Sequence, residues 1–281
     1  HHQSHQKTKA TYRMSGRLLI WGYGRVGSAI TKQVLLQRSI NASILALFDS
    51  VHVISSKTKP QNLEGLDWLN SDIFIADSRL IISPGDVIFL TVSDSQIAQC
   101  AARLDVPGIT VVHCSGATPL PLLSHADTAV FYPLQTFASD VTVNWSDVPV
   151  FTESSSEQVN VNLQRLADSL GVLHCQALSY ASRQYLHLAG VFANNFTVAL
   201  AGIAHDILAS NDLPTAWIQP ILAQTAMNLG SDKPWEKLTG PAKRGDLKTQ
   251  ENHIYLLDDQ QNLQALYKLM SEYIQAKNKT A

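Results

Sequence analysis

The chain has 281 residues, 45% of them hydrophobic and 16% charged, with a formal net charge of −2. That length exceeds the usual single domain, so two domains are expected. The near-neutral balance excludes the strongly basic surface that nucleic acid or an anionic membrane would select.

The polar opening "HHQSHQKTKATYR" carries His1, His2 and His5 but no apolar signal-peptide core, and Met14 begins a stretch that reads like a natural start. Residues 1–16 are therefore expected to be a disordered tail or an added leader. From residue 17 short apolar strands alternate with helical stretches. "RLLIWG" reads as a strand and "SAITKQVLLQRS" as a helix. "SVHVIS" and "SDIFIA" read as the second and third strands, and "DVIFLTV" as the fourth. A helix "DSQIAQCAARL" follows with Asp94 as its expected cap, then a fifth strand, "ITVVHCSG". "AVFYPLQTF", "VPVFTE" and "GVLHCQA" supply further strands, with the helical "SEQVNVNLQRLADSLG" before the last. Continuous apolar strands separated by helices imply a mainly parallel sheet covered on both faces. Beyond residue 177 only helical stretches remain, broken near "NDLP", "SDKP" and "LTGPAKRGD". The expected fold is α/β: a Rossmann-type doubly wound sheet over 17–177 and an all-helical domain over 178–281. The apolar run "HLAGVFANNFTVALAGIA" (187–204) is interrupted by two asparagines, which favours burial in a helical core over a membrane span.

"GYGRVG" places Gly22, Gly24 and Gly27 in G-x-G-x-x-G spacing, after a strand and at the start of a helix. Gly22 permits the tight turn, Gly24 lets a pyrophosphate approach the backbone, and Gly27 lets helix and strand pack closely. The phosphates would meet free N–H groups and the positive end of the helix dipole, with Tyr23, Arg25 and Val26 completing the loop. If "SVHVIS" is the second strand, it ends in Ser55, Ser56 and Lys57, whose hydroxyls and cation suit a 2′-phosphate and hence NADP. A competing register, "SILALFD", would make Asp49 an NAD-type acid; the β-branched Val51, Val53 and Ile54 favour the first. The ends of strands four and five, with Val92, Ser93, His113, Ser115 and Gly116, should line the nicotinamide side. His113 reads equally well as a satisfied core histidine.

In "SRQYLHLAGVFANNF", Arg183 and His187 share a helix face at i,i+4. On a regular α-helix Asn195 would lie about 12 Å along the axis from His187 and roughly 80° around it. "KLTGPAKRGDLKTQENH" gathers Lys243, Arg244 and Asp246 on a glycine-bounded turn; Arg244 could clamp a carboxylate, or Asp246 could cap a helix. No metal site is expected, because His174 and Cys175 point to opposite faces of a strand. Three widely spaced cysteines, Cys100, Cys114 and Cys175, hold no C-x-x-C pair, which fits buried thiols in a reducing compartment.

The ordered blocks "GYGRVG", "HCSGA", "YPLQTF", "RQYLHLAGVFANNF" and "LTGPAKRGD…H" resemble a family of two-domain Rossmann proteins named NADP oxidoreductases. Their C-terminal part is a domain of unknown function, and they stand near pyrroline-carboxylate reductase and deazaflavin-dependent NADP reductase within the 6-phosphogluconate-dehydrogenase-like group. The resemblance spans roughly residues 17–260. It implies functional roles for His187, Asn195 and the turn Arg244-Gly245-Asp246. One departure is Tyr132, where relatives often carry histidine before the proline. Some relatives resemble an alternative ketopantoate reductase. The expected activity is therefore NADPH-dependent reduction of a small carboxylate-bearing carbonyl or imine, such as a 2-oxo acid. His187 would donate a proton, Asn195 would hold an oxygen or amide, Arg244 would bind the carboxylate, and Asp246 would orient it. The other readings are an NADP-binding sensor without turnover and a deazaflavin-dependent NADP reductase. A cytoplasmic homodimer built on the helical domain is expected.

Overall fold

The computed structural model describes residues 16–40, 44, 47–138 and 142–280. The expectation of a tail or leader over residues 1–16 lies, but for Gly16, outside them. Eight strands form one sheet in the order β3-β2-β1-β4-β5-β6-β7-β8. They are β1 (Leu18–Trp21), β2 (Val51–Ser55), β3 (Asp67–Asn70), β4 (Val87–Leu90), β5 (Thr110–His113), β6 (Asp127–Pro133), β7 (Val150–Ser154) and β8 (Cys175–Ala177). All neighbours run parallel except β6 and β7. The order turns back at β1, where β2 lies on one side and β4 on the other, and such a switch point opens a ligand crevice beyond the strands' carboxyl ends.

The central strands are apolar throughout because both faces are covered. Leu18, Ile20, Val53 and Phe89 join the core under α1 (Arg25–Ile40) and α4 (Glu157–Ser169). Leu19, Trp21, Ile54 and Leu90 pack on the other face with Phe74 of α2 (Ser71–Ile81) and Ile97 of α3 (Asp94–Arg103). Alternate residues serve alternate layers, so a polar residue in these runs would meet a core whichever way it pointed.

Two local expectations are corrected. "SDIFIA" is the start of α2 rather than a strand, because Asn70 Oδ1 accepts the N–H groups of Asp72 and Ile73 and starts a helix. Phe74 and Ser78 then form its buried i,i+4 face while Ile73 is exposed; the third strand is the less apolar "DWLN" just before it. At α3 the cap position is Ser93, and Asp94 is the first helical residue.

The chain divides into two compact units between Thr197 and Val198. The helix α5 (Tyr180–Gly190) therefore belongs with the sheet, although the sequence placed the border at 177/178. The second unit holds the rest of α6 (Thr197–Ala209), α7 (Gln219–Leu229), the single-turn α8 (Pro241–Arg244), α9 (Leu247–Leu256) and α10 (Gln261–Thr280). Within it, Asn278 Nδ2 donates to Lys243 O at 3.0 Å and His253 Nδ1 pairs with the Tyr267 hydroxyl at 2.8 Å.

Candidate functional site

The turn after β1 has the shape the glycine spacing requires. Gly22 has φ of +120°, a conformation strained for any side chain, and a Cβ there would lie 2.6 Å from Thr91 O. A Cβ on Gly27 would sit 2.1 Å from Gly22 O, so α1 can close on β1 only with glycine at that place. A Cβ on Gly24 would meet nothing within 4 Å, so its bareness serves no contact inside the protein. That combination fits a pyrophosphate lying against the backbone at the start of α1. Thr91, which the sequence reading passed over, locks the turn by donating from Oγ1 to Gly22 O at 2.9 Å. Its signal was its place at the end of the strand beside β1.

β2 runs in the favoured register, and Asp49 precedes its first residue, at the end opposite the crevice. Ser55 departs from its expected role: it is buried, and its Oγ accepts the Lys57 N–H at 3.1 Å, so it shapes the turn rather than facing a ligand. Ser56 and Lys57 are exposed, and Lys57 Nζ donates to Tyr23 O at 3.1 Å, directly over the glycine turn. The edge of Tyr23 packs on Trp68 at a centroid distance of 5.0 Å. A cavity of about 760 Å³ opens beside this corner, lined by Tyr23, Gly24, Arg25, Lys32, Lys57 and Thr58 among others. Among its described lining residues there are three cations and no carboxylate.

Beyond β4 and β5 the candidates separate. Val92 is half-buried and Ser93 exposed, its hydroxyl donating to Gln96 Oε1 at 3.0 Å. Ser115 is buried, and its Oγ accepts from the N–H groups of Ala117 and Thr118, so it too builds its turn. His113 is fully buried, with Nδ1 accepting the Ser115 N–H and Nε2 donating to Pro119 O. Burial lowers its pKa to about 4, so it is a neutral core residue. Gly116 is where the sheet meets α5: a Cβ there would lie 2.6 Å from Tyr132 Cζ and 2.7 Å from His187 Nδ1.

α5 is held to the turn after β5 by three residues. The Tyr180 hydroxyl donates to Ala117 O at 3.3 Å, Arg183 Nη2 donates to Thr118 O at 2.7 Å, and His187 lies against Gly116. Arg183 is fully buried and pairs through Nη1 with Glu153 of β7. Arg183 and His187 thus share a face as expected, but they divide the work. The arginine anchors the helix, and the half-buried histidine stands at the carboxyl edge of β5. Its Nδ1 is 3.2 Å from the Tyr132 hydroxyl.

Val191–Phe196, "VFANNF", is a π-helix. A π turn holds about one residue more than an α turn, which takes back most of the 80° expected between His187 and Asn195. Asn195 returns toward the histidine's face, exposed, with Asn194 half-buried beside it. The apolar run itself is not buried as expected: within Tyr180–Ala209, long and apolar enough to cross a membrane, Arg183 is the one buried residue. Tyr185, Leu188, Phe192 and Val198 are 76%, 51%, 61% and 64% exposed.

Arg244 and Asp246 belong to the second unit. Arg244 is the exposed last residue of α8, and Gly245 follows with φ of +69° as a left-handed cap. Asp246 caps α9, accepting from Thr249 N at 3.1 Å and Thr249 Oγ1 at 2.7 Å. Those Thr249 bonds hold its carboxyl below the ordinary carboxylate range. Its observed work is the helix capping that the sequence offered as one of two readings of this turn. Among the described residues no group of three or more His, Cys, Asp or Glu comes together as metal ligands.

Residues 148–274 match the family model DUF2520, a domain of unknown function. Comparison with the curated proteins finds no match. Among solved structures, the chain is similar to a Bacteroides fragilis protein provisionally named an NADP oxidoreductase, at 26% identity and a TM-score of 0.75, covering 94% of this chain and 99% of that one. A Thermotoga maritima protein aligns at 20% identity and a TM-score of 0.70 over 93% and 99% of the two chains. Pyrroline carboxylate reductase from Plasmodium falciparum, solved with NADP bound, shares the fold at 11% identity and a TM-score of 0.53, over 93% and 99%.

Proposed function

For a chain with a Rossmann-type sheet whose residues 148–274 match DUF2520, we propose an NADP-dependent reductase of a small carboxylate-bearing carbonyl or imine compound. The observation that carries the reading is the position of His187. It lies against Gly116 at the carboxyl end of β5, on the same sheet edge as the glycine turn after β1. Gly22, Gly24 and Gly27 would hold the pyrophosphate, and NADPH when bound supplies a hydride. His187 supplies the proton to the oxygen or nitrogen left behind, the general-acid role for which its place at the carboxyl edge of β5 suits it. Asn195, on the face to which the π turn returns it, offers an amide to the substrate oxygen or the cofactor. Arg244 is the residue suited to a substrate carboxylate. The preference for NADP over NAD rests on Lys57, Arg25 and Lys32 around the cavity beside the turn, with Ser56 next to Lys57.

The test is NADPH oxidation followed at 340 nm across a panel of 2-oxo acids and cyclic imines. At least one substrate should be reduced. His187→Ala should lower kcat by a factor on the order of 10² or more while leaving the NADPH dissociation constant nearly unchanged. Full turnover by that variant would remove the proton-donor assignment. Tight NADPH binding with no oxidation on any substrate would favour a cofactor sensor, and oxidation by deazaflavin alone would favour the third reading.

The partner that fits the exposed stripe Tyr185, Leu188 and Phe192, at i, i+3 and i+7 on one helix face, is a second copy of the chain. Contiguous apolar surface of this kind marks an interface, and closed two-fold dimers bury one such patch against itself. Asn194 and Asn195 in the middle of the run disfavour lipid as its cover.

A further inference from the structure

The candidate site contains a polar pair that its assigned roles do not use. Tyr132, on β6, places its hydroxyl 3.2 Å from His187 Nδ1, with the two rings edge to face at 6.1 Å between centroids. Gly116 packs against both, and any side chain there would intrude on the pair. All three residues lie in the first unit, and α5 is fixed to the same turn by Tyr180 and Arg183. The contact therefore joins two anchored elements.

We infer that Tyr132 is a positioning residue that donates its O–H to His187 Nδ1, holding the neutral imidazole with its proton on Nε2, the ring nitrogen left to face a substrate. The direction of the bond follows from the acidities of the two groups. A phenol with a pKa near 10 is a far better donor than a neutral imidazole N–H, and an unprotonated imidazole nitrogen is a better acceptor than a phenol oxygen. Burial keeps the Tyr132 phenol above its ordinary value, and Asp94 acts in the same sense while the Arg183 guanidinium opposes both. The phenol therefore still carries its proton at neutral pH. A histidine orienter is often a carboxylate or a backbone carbonyl, both of which accept from the ring and leave the other nitrogen bare. A donor in that place does the reverse and leaves Nε2–H as a hydrogen-bond donor toward the substrate oxygen or nitrogen. When the proton itself is transferred it leaves the imidazolium form, whose Nδ1–H then donates to the Tyr132 oxygen, and the ring returns to the neutral tautomer that the phenol holds. The direction of the bond stands on geometry and acidity alone; its catalytic meaning rests on the reductase reading.

The test separates the two. In ¹⁵N-labelled protein without nucleotide, the ring nitrogens of His187 should show Nδ1 as the unprotonated nitrogen and Nε2 as the protonated one. In Tyr132→Phe the ratio of the two tautomers should fall by about fivefold, the factor one net hydrogen bond supplies. Gly116→Ala, which crowds both partners, should shift it in the same sense. Nδ1 protonated in the wild-type chain, or a ratio unmoved in Tyr132→Phe, would overturn the assignment without any variant having to be active. In turnover, Tyr132→Phe should lower kcat with little change in the KM for NADPH, whereas a shifted ratio with no turnover on any substrate would leave the positioning role standing and remove the reductase reading.

Discussion

His113 and His187 sit at neighbouring places and do opposite things. His113 has both ring nitrogens engaged by the backbone of its own turn and is fully buried. Its folded-state pKa, about 4, lies below the ordinary 6.5, so the unfolded chain takes up a proton that the fold refuses. Its contribution is therefore whole above pH 6.5 and is lost as pH falls toward 4, on the order of 3 kcal/mol across that window. Urea denaturation at pH 7 and pH 4.5 should show this loss, and His113→Gln should flatten it. Gly24 and Gly27 give a second pair of contrasts. Gly24→Ala has open space before it. It should leave the melting temperature within a degree or so while weakening NADPH binding at least tenfold by calorimetry, because only the nucleotide needs that approach. Gly27→Ala would drive a methyl into Gly22 O, and should cost about 1–3 kcal/mol of stability in urea denaturation.

At the level of elements, α5 is the piece that turns a nucleotide fold into a candidate enzyme. Its cation is buried, and Glu153 neutralises it from β7, an arrangement that is costly to break and weakly stabilising to keep. Removing the carboxylate alone, in Glu153→Ala, should destabilise by about 3 kcal/mol, because Arg183 is left charged in the core. The double change Arg183→Met with Glu153→Leu should recover part of that loss in urea unfolding. Failure of the single variant to lose stability would mean that the pair does not hold α5 to the sheet. The glycine loop, the register of β2 and most strands were legible in sequence, because apolar runs and glycine spacing report directly on local backbone. The π winding of Val191–Phe196 was not. It is one residue's slip in a hydrogen-bond ladder, no residue type demands it, and it changes which face Asn195 occupies. Ser55 and Ser115 misled for a related reason: a hydroxyl near a ligand edge can be spent on its own turn, and composition does not say which.

For the molecule as a whole, the exposed stripe on Tyr180–Ala209 predicts the mass in solution. Light scattering without detergent should give twice the chain mass, and Leu188→Asp combined with Phe192→Asp should give the single chain mass with folding retained. A monomeric wild type, or one that stays soluble only in micelles, would exclude the second copy as the partner.

The alternation of apolar strand and helix, the bare glycines after β1 and the helical second half follow from the order of residues alone, since each rests on contacts a few positions apart. The tertiary structure decided what lies between distant segments. It showed that α5 belongs with the sheet, that Tyr132 meets His187 from 55 residues away, and that Glu153 holds Arg183. Those partnerships depend on which elements the sheet order makes neighbours, and no local pattern encodes them.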